Sequence, residues 1–127
     1  VTYAFQKPSP GVFKTIMGTT VTEAVTRALD AGADIVGANC GTGLDLDDYV
    51  ELGRQLVAAA AGKPVILQPN AGAPRTVGDD TVYDASPEQM ADTARRLMAA
   101  GVRIIGGCCG TTPDHLKAMA AAVHGAS

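Results

Sequence analysis

The 127 residues carry 46% hydrophobic and 18% charged side chains, enough apolar material for one ordinary core and too much for a disordered tail. Ten basic residues against thirteen acidic ones give a net charge of −3, aromatics make up 4%, and there is no Trp. The chain therefore lacks both the basic footprint and the stacking platform of a nucleic-acid binder, and no apolar run approaches the roughly 20 residues that cross a bilayer.

The predicted elements alternate between apolar runs and windows of helical spacing. A first strand is expected over 2–5. A helix follows, with a stripe of Val21, Ala24, Val25, Ala28 and Leu29, a capping box from Thr20 to Glu23, and Gly32 as its stop. The second run, 34–38, leads to a stripe of Leu46, Tyr49, Val50, Gly53 and Val57 that ends at Gly62. The third, 64–68, is followed by the longest connection, 69–86, and then by a helix that opens on Ser86, Pro87 and Gln89. Its stripe is Met90, Ala91, Ala94, Leu97 and Met98, and Gly101 closes it. The fourth run, 103–106, precedes a helix opened by Pro113, with Leu116, Met119, Ala120 and Val123 along one side. Near-continuous apolar strands are those of a parallel sheet covered by helices. Four successive βα units with no linker predict an α/β fold and a single domain spanning 1–127.

Helix-to-strand turns are short and strand-to-helix connections are long, which places the chemistry at the strand C-termini. All three cysteines lie there. Cys40 follows the second run, and Cys108 and Cys109 follow the fourth. An odd count with two adjacent members is a poor disulfide framework, so reduced thiols and a cytoplasmic setting are expected. Three thiolates can supply three corners of a tetrahedral zinc site and leave the fourth open. Neighbours in an extended strand point to opposite faces, so the backbone must turn at the pair, and Gly106, Gly107 and Gly110 are expected to permit it. Buried small hydrophobes or a vicinal redox pair are the other readings of these cysteines. A non-catalytic thiolate metal-binding module also uses the same residues. Residues 37–43 admit a glycine-rich nucleotide loop, although the Gly spacing and the Lys of such loops are missing.

The stretch Gly106-Gly107-Cys108-Cys109-Gly110-Thr111-Thr112-Pro113-Asp114-His115-Leu116, with Gly37-Ala38-Asn39-Cys40 and Pro69-Asn70-Ala71-Gly72-Ala73-Pro74 upstream, resembles the homocysteine S-methyltransferase family. The likeness is greatest to the homocysteine-binding domains of its cobalamin-dependent branch. It implies Zn2+ held by Cys40, Cys108 and Cys109, with the thiol of homocysteine in the fourth position and methylcobalamin as methyl donor. It implies no catalytic residue beyond the zinc site. Asn70 would stand beside the metal and contact it or the substrate, with a turn residue as the alternative. Asn39 and Gly107, each next to a ligand, complete the expected substrate side. His115 reads as a packing or capping residue and His124 as solvated.

A (βα)8 barrel takes about 250 residues, so four units correspond to the C-terminal half of such a TIM barrel. The resemblance then implies an N-terminal half-barrel, or a second copy of the chain, carrying the acidic side chains that grip the amino group of homocysteine. A corrinoid-binding domain or protein is a further implied partner. A first residue of Val1 suits a processed piece or fragment.

Overall fold

The computed structural model describes residues 1–125; the last two of the predicted domain lie outside it. In chain order the elements are β1 (Thr2–Tyr3), β2 (Gln6–Ser9), β3 (Val12–Lys14), α1 (Val21–Asp30), β4 (Val36–Cys40), α2 (Leu46–Ala59), β5 (Val65–Pro69), β6 (Pro74–Val77), β7 (Asp80–Tyr83), α3 (Pro87–Ala99), β8 (Ile104–Ile105) and α4 (Pro113–Gly125). Strands β1, β4, β5 and β8 pair in that order, all parallel, with α1, α2 and α3 in the crossovers. This is the α/β architecture of alternating units, arranged as part of a (βα) barrel.

Helix starts follow from local chemistry. The capping boxes at Thr20–Glu23 and Ser86–Gln89 form, and a third, not foreseen, joins Asp45 to Asp48. Asp48 also receives Lys7 Nζ at 2.8 and 2.9 Å, which ties β2 to α2. Helix ends rely on left-handed glycines. Gly32, Gly62 and Gly101 take φ of 95°, 89° and 103°.

Two antiparallel hairpins, β2–β3 and β6–β7, replace stretches expected to be loop. The first contains Pro8 and Pro10. The second turns at Gly78-Asp79, where Gly78 has φ 63°, and its strands are largely exposed. Neither presents the apolar alternation that marks a half-buried strand. Strands β4 and β5 also sit later than the apolar runs predict, so Cys40 and Pro69 become paired final residues. An apolar run reports burial, not where the ladder ends.

One face of the sheet buries Val36, Ala38, Val65 and Leu67 against the helix stripes, including Val25, Val50, Leu56 and Leu97. The other carries Gly37 opposite Ile66, Asn39 opposite Gln68, and Ile66 opposite Ile104, which is 37% exposed. A Cβ on Gly37 would fall 1.8 Å from the Ile66 carbonyl oxygen, so glycine is what allows β4 and β5 to meet there. Helix α4 follows its predicted stripe only in part, at Met119 and Val123. It buries His115, Met119 and Ala122, while Leu116 stays exposed and, with Ala120, Val123, Ile105 and Arg103, lines a groove of about 250 Å³ beside β8. No helix among the described residues is long and apolar enough to cross a membrane.

Candidate metal centre

Cys40, the last residue of β4, takes φ 56°, a left-handed conformation that costs a non-glycine residue about 1–2 kcal/mol. Its carbonyl is held by the Tyr49 hydroxyl, which reaches up from α2. The same hydroxyl accepts the Asn70 N–H at 3.3 Å. Gly41 continues the turn at φ 92°, where a Cβ would lie 3.1 Å from the Phe5 carbonyl oxygen. The backbone is thus folded back as soon as it leaves the sheet.

Cys108 and Cys109 lie beyond β8. Cys108 N–H donates to the Pro69 carbonyl (2.9 Å), and Ala71 N–H donates to the Cys109 carbonyl (2.9 Å), so the pair is fastened to the end of β5. Thr111 N–H returns to the Cys108 carbonyl at 3.1 Å, closing a four-residue turn with Gly110 third at φ 78°, as a type II turn requires. Of the three glycines expected to give the pair its freedom, only Gly110 uses a positive φ. Gly107 acts through its size, since a Cβ there would come within 2.4 Å of Thr111.

Asn70 joins the two cysteine loops. It is 3% exposed, its Oδ1 accepts Cys109 N–H at 3.0 Å, and its Nδ2 donates to the Gly41 carbonyl at 3.4 Å. Asn39 sits on the uncovered face of β4, paired in register with Gln68. His115 is buried away from the sulfurs, with Nδ1 on Thr112 and Nε2 on the Ala85 carbonyl; His124 is exposed.

The sulfur atoms of Cys40, Cys108 and Cys109 all lie within 4.8 Å of one another, and those of Cys40 and Cys109 are 3.7 Å apart. The edge of a tetrahedron with metal–sulfur bonds of about 2.3 Å is about 3.8 Å, so the spacing suits one zinc ion between them. No disulfide links them. Burial, with the neighbouring sulfurs, pushes the Cys40 thiol up to about 11, whereas hydrogen bonds from Cys40 and Tyr83 hold the Cys109 thiol below its ordinary value.

Two residues of this site escaped sequence reasoning. Tyr49 fits the apolar stripe of α2, and its only signal was a hydroxyl on a buried face. Tyr83 lies in the connection 69–86, whose hairpin was not predicted.

Residues 2–123, which carry this cluster of three free thiols, match the sequence profile of the homocysteine S-methyltransferases. The chain belongs to the homocysteine S-methyltransferase family. It is similar to the methionine synthases of Mycobacterium leprae and Mycobacterium tuberculosis, each 34% identical over 110 residues. These alignments cover 85% of this chain and 9% of each relative.

Proposed function

We propose that the chain is the zinc-bearing, C-terminal half of a homocysteine S-methyltransferase barrel and that the complete enzyme methylates homocysteine to methionine. The triangle of Cys40, Cys108 and Cys109 sulfurs carries this reading. Bound there, zinc would offer its fourth position to a thiol and favour the thiolate near neutral pH, which is the nucleophile methyl transfer needs. The protein's part is to bring three donors from two strand ends to one point. Asn70 locks the two loops together, and Tyr49 holds Cys40 in its left-handed turn. The substrate sulfur would form its bond to the methyl carbon as the bond to the donor breaks, the electron pair leaving with the donor.

Methylcobalamin, on a partner domain or protein, is the donor proposed, as the resemblance of the cysteine motifs to the cobalamin-dependent branch of the family implies. An N-terminal half-barrel would cover the face that leaves Ile104 and Ile66 unburied and would supply the groups that hold the amino acid. A reducing cytoplasmic setting suits the free thiols. A nucleotide-binding role is disfavoured by charge, since Asp45, Asp47 and Asp48 crowd the start of α2 where a phosphate would sit. A closed metal store is disfavoured by the exposure of Cys109.

The test is methionine formation from homocysteine and methylcobalamin by the protein that carries these residues. Chelation of zinc is expected to remove the activity and one equivalent of zinc to restore it. Full activity in the metal-free protein would overturn the proposal.

A further inference from the structure

His115 is buried, and both nitrogens of its imidazole are committed to backbone groups. Nδ1 accepts the Thr112 N–H at 3.1 Å, and Nε2 stands 2.6 Å from the Ala85 carbonyl oxygen. Because Nδ1 is an acceptor, the ring proton belongs on Nε2, which donates to that carbonyl. The Thr112 hydroxyl in turn accepts the His115 N–H at 3.4 Å. The two residues thus form a capping box at the start of α4, with an imidazole where Glu or Gln is usual. A carboxylate in its place would close the box and have no proton to give to Ala85.

The bond to Ala85 completes a ring of four hydrogen bonds. Ala85 N–H donates to the Ala71 carbonyl at 3.0 Å, and Ala71 N–H donates to the Cys109 carbonyl at 2.9 Å, three residues before Thr112. Ala71 and Ala85 are both buried, and they are the two feet of the segment that carries hairpin β6–β7. Cys109 is the most exposed of the three cysteines and stands outside any strand. The direction of its sulfur therefore depends on how its backbone is held, by Asn70 Oδ1 at the N–H and by the ring at the carbonyl.

We infer that His115 is a positioning residue of the thiolate centre: by bridging Thr112 to Ala85 it closes the ring that fixes the Cys109 carbonyl, and with it the direction of the Cys109 sulfur. This rests on the zinc reading above and extends it to a residue that acts through backbone bonds alone. Groups that orient a metal ligand from outside the coordination sphere contribute to affinity as well as to geometry.

His115→Asn and His115→Gln test the inference as a pair. Either can keep the box, since Asp48, as short as Asn, accepts the Asp45 N–H at 3.0 Å at the start of α2, and Gln89 accepts the Ser86 N–H at 2.8 Å at the start of α3. Only Gln extends as far as Nε2 with an N–H for Ala85. In competition with a chromophoric chelator, His115→Asn is expected to bind zinc about 10-fold or more weakly, and His115→Gln to recover most of that loss. With cobalt(II) in place of zinc, the ligand-field bands of His115→Asn should lose intensity, because a loosened Cys109 lets the tetrahedral site take a further ligand, and those of His115→Gln should match the wild type. Wild-type affinity and spectrum in His115→Asn would overturn the inference, even where urea unfolding shows lost stability, as would equal weakening in both variants, which marks lost packing of the imidazole. If neither variant folds, hydrogen exchange in the wild type decides: zinc is expected to slow exchange of the Ala85 and Thr112 amides together, and an unchanged rate at either would overturn the inference. A wild-type chain that binds neither metal would overturn the zinc reading itself.

Discussion

Replacing any one of Cys40, Cys108 or Cys109 by Ser is expected to abolish stoichiometric zinc. The three sulfurs come from two loops, and each loop is fixed by backbone hydrogen bonds that do not involve the sulfur. A serine can therefore be accommodated without moving the chain, and the loss reports the ligand alone. A serine hydroxyl does not ionise near neutral pH and is a poor zinc donor, so the site would keep two thiolate ligands where the proposed site needs three. Loss of an outer contact to a ligand commonly lowers metal affinity 10–100-fold; loss of a ligand should exceed that, roughly 100-fold or more. Metal analysis after gel filtration reads the result, with the far-ultraviolet circular dichroism of each variant expected to match the wild type. Retention of full zinc by Cys40→Ser would break the three-ligand site, because Cys40 is the only contribution from β4.

Asn70→Ala should do comparable damage from a residue with no sulfur. Its side chain satisfies the Cys109 N–H and the Gly41 carbonyl, one on each cysteine loop, from a position almost without solvent access. Removing it leaves two polar groups without that partner. A buried group stripped of its hydrogen bond costs about 1–3 kcal/mol, and the bond to Gly41 is long, so about 2–3 kcal/mol of stability is the expected loss. Urea unfolding of the metal-free chain measures it. Zinc affinity should fall 10–100-fold in the same variant, since the loops that carry Cys40 and Cys109 would no longer be tied together. A change below about 0.5 kcal/mol with unchanged zinc binding would mean that Asn70 is a simple turn residue.

The same bonds explain how much of the site could be read from the sequence. The cysteines were legible because strand C-termini in parallel α/β folds are where side chains converge, and the apolar runs locate those termini to within a few residues. The helices were legible for a similar reason. Capping residues such as Thr20 and Ser86, and stop glycines such as Gly32 and Gly101, act on their own neighbours and need no tertiary context. What was not legible depends on contacts distant in sequence. The hairpin β6–β7 lies mostly on the surface and has no core face to impose a period on its residues. Tyr49 is 21 positions from Asn70 in the chain, and only the packing of α2 on the sheet brings its hydroxyl to the Asn70 N–H. The turn continues through Gly41, but its first left-handed residue is Cys40, which nothing in its residue type announces; the surrounding bonds impose that conformation.

Helix α4 shows why a stripe alone can mislead. Of the predicted stripe, Met119 packs inward beside His115 and Ala122 and Val123 is partly buried, whereas Leu116 and Ala120 face a groove at the open edge of β8 that Met119 and Val123 also line. Within the proposed barrel both sides are explained, because the groove lies along the edge strand where further βα units would join.

X-ray absorption on the zinc-loaded protein, which counts the sulfur neighbours of the ion with and without homocysteine, tests the central claim most directly. Three sulfurs plus one lighter neighbour are expected before homocysteine is added, and four sulfurs afterwards, matching the three cysteines gathered at the site and one substrate thiol. A count that stays at three with homocysteine in saturating excess, or one that is already four in its absence, would contradict a site built to receive a thiol.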